Sequence, residues 1–243
     1  MTLRHKTECF VIKKDDRFES DRIFTIFAKD LGRLEIRARA IRKIISKLRG
    51  GIEVFSLSDI EFIQGKNYKT LTDAISIEKF KNIKNDSKKL EIINKIADVL
   101  NNFINGQEKD SHIWDLLKET FEKLNDCSSS AVYCLIYYYF LWNFFSVLGY
   151  SPEVYKCAIC QEKLNPCDVY FSYKEGGVVC QKCSGQDNAS QKINSDIVKL
   201  VRIILKKDWH ILSKLRIEKQ SLELLKKISD DYYSYFLSSH YYK

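Results

Sequence analysis

The chain has 243 residues, 45% of them hydrophobic and 13% aromatic, which is enough apolar material to bury a core and excludes disorder over most of the length. Nine glycines and two prolines exclude collagen-like and low-complexity classes. Forty Lys and Arg against 32 Asp and Glu leave a formal charge of +8, a balance that favours an anionic partner such as nucleic acid. The surplus lies at the two ends: residues 1–80 carry 17 basic and 12 acidic groups, and 184–243 carry 11 and 7.

From residue 7 to 78 the pattern is short, β-rich and broken by turns. Apolar runs at 9–13, 23–28, 33–40, 52–63 and 69–77 are separated by Gly32, Gly50-Gly51 and Gly65, which predicts five strands. Five short strands that close on themselves predict an OB-fold barrel over 1–80, a common binder of oligonucleotides, with a small SH3-like barrel as the alternative. In 33–40 the period of two places Leu34, Ile36, Ala38 and Ala40 inward and gathers Arg33, Arg37 and Arg39 on the opposite face. Arg42, Lys43, Lys47 and Arg49 continue the charge into a loop. Such a face can track a phosphate backbone and gain from counterion release; a charge run kept only for solubility is the competing reading. Phe24, Phe27, Phe55, Phe62 and Tyr68 are available for base stacking, but aromatics on alternating strands mostly face a core, so the pattern alone assigns none of them.

After Asn85 the period changes. Leu90, Ile93, Ile96, Ala97, Leu100, Phe103 and Ile104, then Ile113, Leu116, Leu117, Phe121 and Leu124, recur at three and four, predicting amphipathic helices capped by Asp86 or Ser87 and by Ser111. Residues 127–152 contain no charge. That length would cross a bilayer, yet its many tyrosines, Asn143 and the lack of flanking Lys/Arg clusters favour a buried central helix over about 129–148, stopped by Gly149 and Pro152. A polar loop is expected over 185–192, then helices with apolar faces at Ile197, Leu200, Val201, Ile204 and Leu205 and at Leu222, Leu225, Ile228, Tyr232, Tyr235 and Phe236, and a frayed tail over 238–243.

Within this helical region, 81–156 and 184–243, sits an insert at 157–183. Cys157-x-x-Cys160 is followed after 19 residues by Cys180-x-x-Cys183, the paired-knuckle spacing of a zinc site. Four soft thiolates in a closed tetrahedron suit a structural Zn²⁺ and leave no position for catalytic water. Cys9, Cys127 and Cys134 lie in or beside apolar patterns, and Cys167 lies outside the knuckles. Eight cysteines without a secretory signal or transit pattern at the start point to a reducing, cytoplasmic setting.

The sequence supplies little for catalysis. No phosphate loop of the GxxxxGK[ST] or GxGxxG kind occurs, His5, His112, His210 and His240 are scattered, and there is no HExxH or serine elbow. A binding protein without enzymatic activity is the expectation.

The segments together resemble the RecO family of bacterial recombination mediators. Glu8-Cys-Phe-Val-Ile12 with Asp21-Arg-Ile-Phe-Thr-Ile-Phe-Ala-Lys-Asp-Leu-Gly32 is similar to that family's first hairpin, and 38–50 to its basic turn, with Ala40-Ile-Arg-Lys43 in place of the glycine-rich turn of many members. Leu148-Gly-Tyr-Ser-Pro152, the first CxxC and Gly176-Gly-Val-Val-Cys-Gln-Lys-Cys183 resemble its most recognisable stretch. The resemblance implies an N-terminal OB-fold, a helical C-terminal domain and a zinc insert, in a non-enzymatic, nucleoid-associated protein that binds single- and double-stranded DNA. It implies strand annealing and help in loading RecA onto DNA coated by single-strand-binding protein. The implied partners are the acidic C-terminal tail of that protein and RecR, in some members with RecF. A zinc-containing adaptor whose barrel binds protein is the alternative.

Overall fold

Five strands open the chain: β1 (Arg4–Arg17), β2 (Asp21–Ala28), β3 (Gly32–Ala38), β4 (Leu57–Gln64) and β5 (Lys69–Glu78). This computed structural model describes residues 3–185 and 190–241, and the chain divides into two compact units, Met1–Tyr133 and Cys134–Lys243.

The strands close into a barrel of order β1-β2-β3-β5-β4, with β3 and β5 parallel and the other pairs antiparallel. That is the topology of the expected OB-fold. Cys9 and Val11 of β1, Phe24 and Ile26 of β2, Leu34 and Ile36 of β3 and Phe62 of β4 fill the interior. The neighbouring residue Phe10 points the other way. Its ring packs at 4.9 Å from Trp114 and 4.8 Å from Phe121, so the outer wall of β1 is covered by aromatic side chains.

β1 is longer than its apolar run because Arg4–Phe10 pairs with β4 while Lys13–Arg17 pairs with β2; polar residues hold the ladder through backbone and through cross-strand ion pairs such as Lys6–Asp59 and Asp16–Arg22. The run 52–63 becomes a strand only at Leu57. Before it, Phe55 takes a φ of +59° and its N–H donates to Val11 O at 2.8 Å, while Val11 N–H donates to Ser56 O at 3.0 Å. That segment fills the register shift between Val11 and Lys13. Ala40, expected inward on a strand, lies past the end of β3 with φ +52°.

The same unit continues with the single turn α1 (Lys81–Lys84) and helices α2 (Ser87–Phe103) and α3 (Ser111–Asp126). Asp86 caps α2, its carboxylate accepting from Lys88 and Lys89 N–H. Asp110, and not the expected Ser111, caps α3, accepting from His112 and Ile113 N–H. Leu90, expected on the apolar face of α2, is only half-buried, and Lys89 beside it is buried.

The uncharged helix α4 spans Ser130–Val147 and ends at Gly149, whose φ of +87° terminates it. Trp142, Phe144 and Phe145 are wholly buried, and among the described residues no helix is long and apolar enough to cross a membrane. Its polar atoms are partnered: Trp142 Nε1 donates to Ser229 Oγ at 3.0 Å, and Asn143 Nδ2 donates to Ile204 O at 3.0 Å. A small sheet of order β7-β6-β8 follows, from β6 (Val169–Ser172), β7 (Gly177–Cys180) and β8 (Gln191–Ile193), with the turn α5 (Gln181–Ser184). The last of these strands takes residues from the expected polar loop, of which 186–189 lie outside the described residues. Helices α6 (Ser195–Leu205), α7 (Trp209–Leu212) and α8 (Lys219–Tyr241) complete the chain. Where a frayed tail is expected over 238–243, α8 runs to Tyr241, and 242–243 lie outside the described residues.

Candidate metal centre and nucleic-acid face

The four expected cysteines meet. The Cys157 knuckle is shaped by backbone bonds, Cys157 N–H to Glu162 O and Gln161 N–H to Cys157 O, each 2.9 Å. Ala158 N–H donates to Val178 O at 2.8 Å and so pins the knuckle to β7. That strand ends in Cys180, and α5 turns Cys183 back toward the same point. All four Sγ atoms lie within 4.8 Å of one another, and Cys160 Sγ is 3.9 Å from Cys180 Sγ. A zinc tetrahedron with bonds of about 2.3 Å has edges of about 3.8 Å, so the donor set fits such an ion by type and by spacing. Cys157 and Cys183 are buried, Cys180 half-buried and Cys160 exposed.

The surroundings favour a thiolate at one corner. Burial pushes the Cys157 thiol up, but backbone N–H groups of Cys160, Cys180 and Ile159 aimed at its sulfur outweigh that and bring it down to about 6. Cys183 is pushed up to about 12, first by burial and then by the neighbouring sulfurs. Without a cation the four cannot all ionise, and a divalent ion relieves that repulsion. Cys167 is exposed and outside the cluster, and Cys9 is sealed in the barrel, where burial raises its thiol.

The seven expected cationic residues fall into three groups. Arg33 and Arg37 lie on the outward side of β3, as the alternation requires. Arg37 is committed: its Nε donates to Asp21 Oδ2 at 2.9 Å and its Nη2 lies 2.7 Å from the same oxygen. Arg33 reaches Glu35 only at 3.9 Å, and its Nε is buried with no hydrogen bond among the described residues. Arg39 is exposed beside them, and Arg42 reaches Asp16 at 3.7 Å. Lys43, Lys47 and Arg49 stand exposed on the 39–56 connection, without an ion pair among the described residues. The loop also carries Ile44 and Ile45, both exposed.

Of the five aromatics that the sequence offers for stacking, Phe24, Phe27, Phe55 and Phe62 are buried and Tyr68 is exposed. Phe18, outside that set, is the most exposed aromatic among the described residues, at 78%. Its position inside the polar turn Arg17-Phe-Glu-Ser20 was the available signal, since a turn offers no core to a phenyl ring.

A closed five-stranded barrel with a cationic strand face, followed by helices and a four-thiolate cluster, defines an OB-fold protein able to hold a metal. The chain belongs to the recombination protein O family, RecO: the family's N-terminal pattern matches residues 1–80 and its C-terminal pattern residues 84–243. Among its relatives, the DNA repair protein RecO of Halalkalibacterium halodurans is 27% identical over 236 residues, covering 97% of this chain and 91% of the relative. Its namesake from Dehalococcoides mccartyi is 30% identical over 93% of this chain and 88% of its own length. That of Acetivibrio thermocellus is 28% identical over 98% and 94%.

Proposed function

We propose that this protein is a non-enzymatic DNA-binding recombination mediator of a RecF-type repair pathway. It binds single- and double-stranded DNA, anneals complementary strands and helps RecA load on DNA coated by single-strand-binding protein. Its protein partners are the C-terminal tail of single-strand-binding protein, RecR and, where the pathway uses it, RecF. It works in the cytoplasm at the nucleoid. Residues 1–80 act as the DNA-binding domain, 81–156 and 184–243 as the helical domain, and 157–183 as an insert in which Cys157, Cys160, Cys180 and Cys183 hold one structural Zn²⁺.

The observation that carries the DNA reading is the run of exposed cations Arg39, Arg42, Lys43, Lys47 and Arg49 leaving the outward face of a closed OB barrel. Family membership supports the repair role, since the relatives above bear the name DNA repair protein.

The test is fluorescence anisotropy of a labelled single-stranded oligonucleotide over a salt series, with a variant carrying Arg39→Ala, Arg42→Ala, Lys43→Ala and Lys47→Ala. Each phosphate contact on a single strand adds about 0.7 to the log-log salt slope, so loss of all four contacts lowers it by about 3. Absence of binding at low salt by folded, zinc-loaded protein would sink the reading and favour a barrel that docks protein. Acceleration of annealing between complementary oligonucleotides tests the finer activity.

A further inference from the structure

β2 and β5 flank β3 in the barrel, and Arg37 of β3 sits in register with Ile23 and Thr70. The turns that lead into these flanking strands carry Phe18, three residues before Asp21, and Tyr68, one before Lys69. The two rings therefore rise at the same end of the sheet, on either side of Arg37. The guanidinium carbon lies 5.1 Å from the Phe18 ring centroid and 5.5 Å from that of Tyr68. Asp21 neutralises the cation and fixes its orientation, so the guanidinium braces the rings and is not free to grip phosphate.

Both rings keep most of their surface in water, 78% for Phe18 and 55% for Tyr68. Single exposed apolar residues are ordinary on a surface. Two aromatic rings braced by one ion-paired guanidinium, beside the exposed cations Arg39, Arg42 and Lys43, are not scattered singles. The chemistry that fits is an unpaired nucleobase, whose flat face stacks on an aromatic ring while its phosphate meets a nearby cation.

We propose that Phe18 and Tyr68, braced by Arg37, form the base-stacking site of the barrel and take unpaired bases of a single strand whose phosphates follow Arg39, Arg42 and Lys43. This rests on the DNA-binding reading above and adds to it a means of preferring single strands: bases inside a duplex stack on one another and cannot reach the rings. Stacking is tolerant of sequence because every base has a π face.

The experiment uses the full chain, a fluorescein-labelled oligothymidylate and its duplex with oligoadenylate. The variant Phe18→Ala/Tyr68→Ala is expected to bind the single strand about tenfold or more weakly, the scale of one or two lost base stacks. Its salt slope stays that of the parent because no charge is removed, and its duplex affinity is unchanged. Tyr68→Phe, which keeps the ring, binds the single strand like the parent; because both rings are exposed, none of these changes disturbs the core. If the parent binds and the double variant matches it, or loses single strand and duplex alike, the stacking site is overturned while the DNA-binding function stands. If the parent fails to bind at low salt, both fall.

Discussion

Asp21 and Arg37 sit on adjacent strands, and the aspartate serves two masters: Oδ2 accepts from Arg37 Nε at 2.9 Å while Oδ1 accepts from Ala40 N–H at 2.8 Å. One carboxylate thus orients the guanidinium on the barrel face and fixes the first turn of the basic loop. The cationic strand face and the start of the basic loop both depend on it.

The pH dependence of stability follows. The Ala40 amide, and then the Arg37 guanidinium, hold the Asp21 carboxyl below the ordinary carboxylate range. A folded-state pKa depressed in this way adds stability above the unfolded value and loses it as pH falls through the folded one. Asp21→Asn is expected to cost about 2 kcal/mol at neutral pH, with the difference from the parent shrinking below about pH 4. Urea midpoints across that range measure it, and a pH-independent difference would contradict the pairing.

Ala40 holds a φ of +52°, a region that costs a residue bearing Cβ about 1 kcal/mol or more. Ala40→Gly should raise stability by about 1 kcal/mol, since glycine takes the same backbone without strain, offset in part by its greater freedom when unfolded. A thermal melt that shows no gain or a loss would mean the strain is relieved elsewhere.

Lys89 is 4% exposed, with Nζ donating to Asn125 O at 2.9 Å and lying 5.2 Å from the Tyr133 ring centroid. Asn125 is in the last turn of α3, so the ammonium also meets the negative end of that helix. Lys89→Ala should cost about 2 kcal/mol through the stranded carbonyl and lost packing, and Lys89→Met less because it keeps the stem. Equal melting shifts for the two would show that the packing of the stem contributes little, and an unshifted Lys89→Met would show the same of the hydrogen bond to Asn125 O.

Elemental analysis should find about one zinc per chain in the parent, as one tetrathiolate site requires. Cys157→Ser/Cys183→Ser should lose the metal and lower the melting temperature of the thiolate module, whereas Cys167→Ser should retain both. Full metal content in the double variant would place the ion elsewhere.

The features legible in the sequence were those written by local periodicity or spacing. Leu34, Ile36 and Ala38 alternate with Arg33, Glu35 and Arg37, and the structure buries the first set and turns the second out. The two CxxC pairs converge through the β6–β7 hairpin, in which Val169 pairs with Cys180, and through the bond from Ala158 N–H to Val178 O that ties the first knuckle to it. Contacts set by strand register were not legible. Asp21 reaches Arg37 across sixteen residues only because Ile23 pairs with Arg37, and nothing in the composition of either strand announces it. The Asp110 cap and buried Lys89 escaped for a related reason: a polar residue reads as solvent-exposed until the group that satisfies it, here Asn125 O, is placed in space.

Phe10 carries a last consequence. Its ring leaves the barrel and is enclosed by Phe80, Trp114 and Phe121, two of them contributed by α3. A fragment severed after residue 80 would keep every ladder bond of the barrel yet bare a greasy flank, and would tend to clump with copies of itself. One extended through residue 133 keeps that flank sealed, so the shortest soluble piece containing the barrel should carry its first helices along.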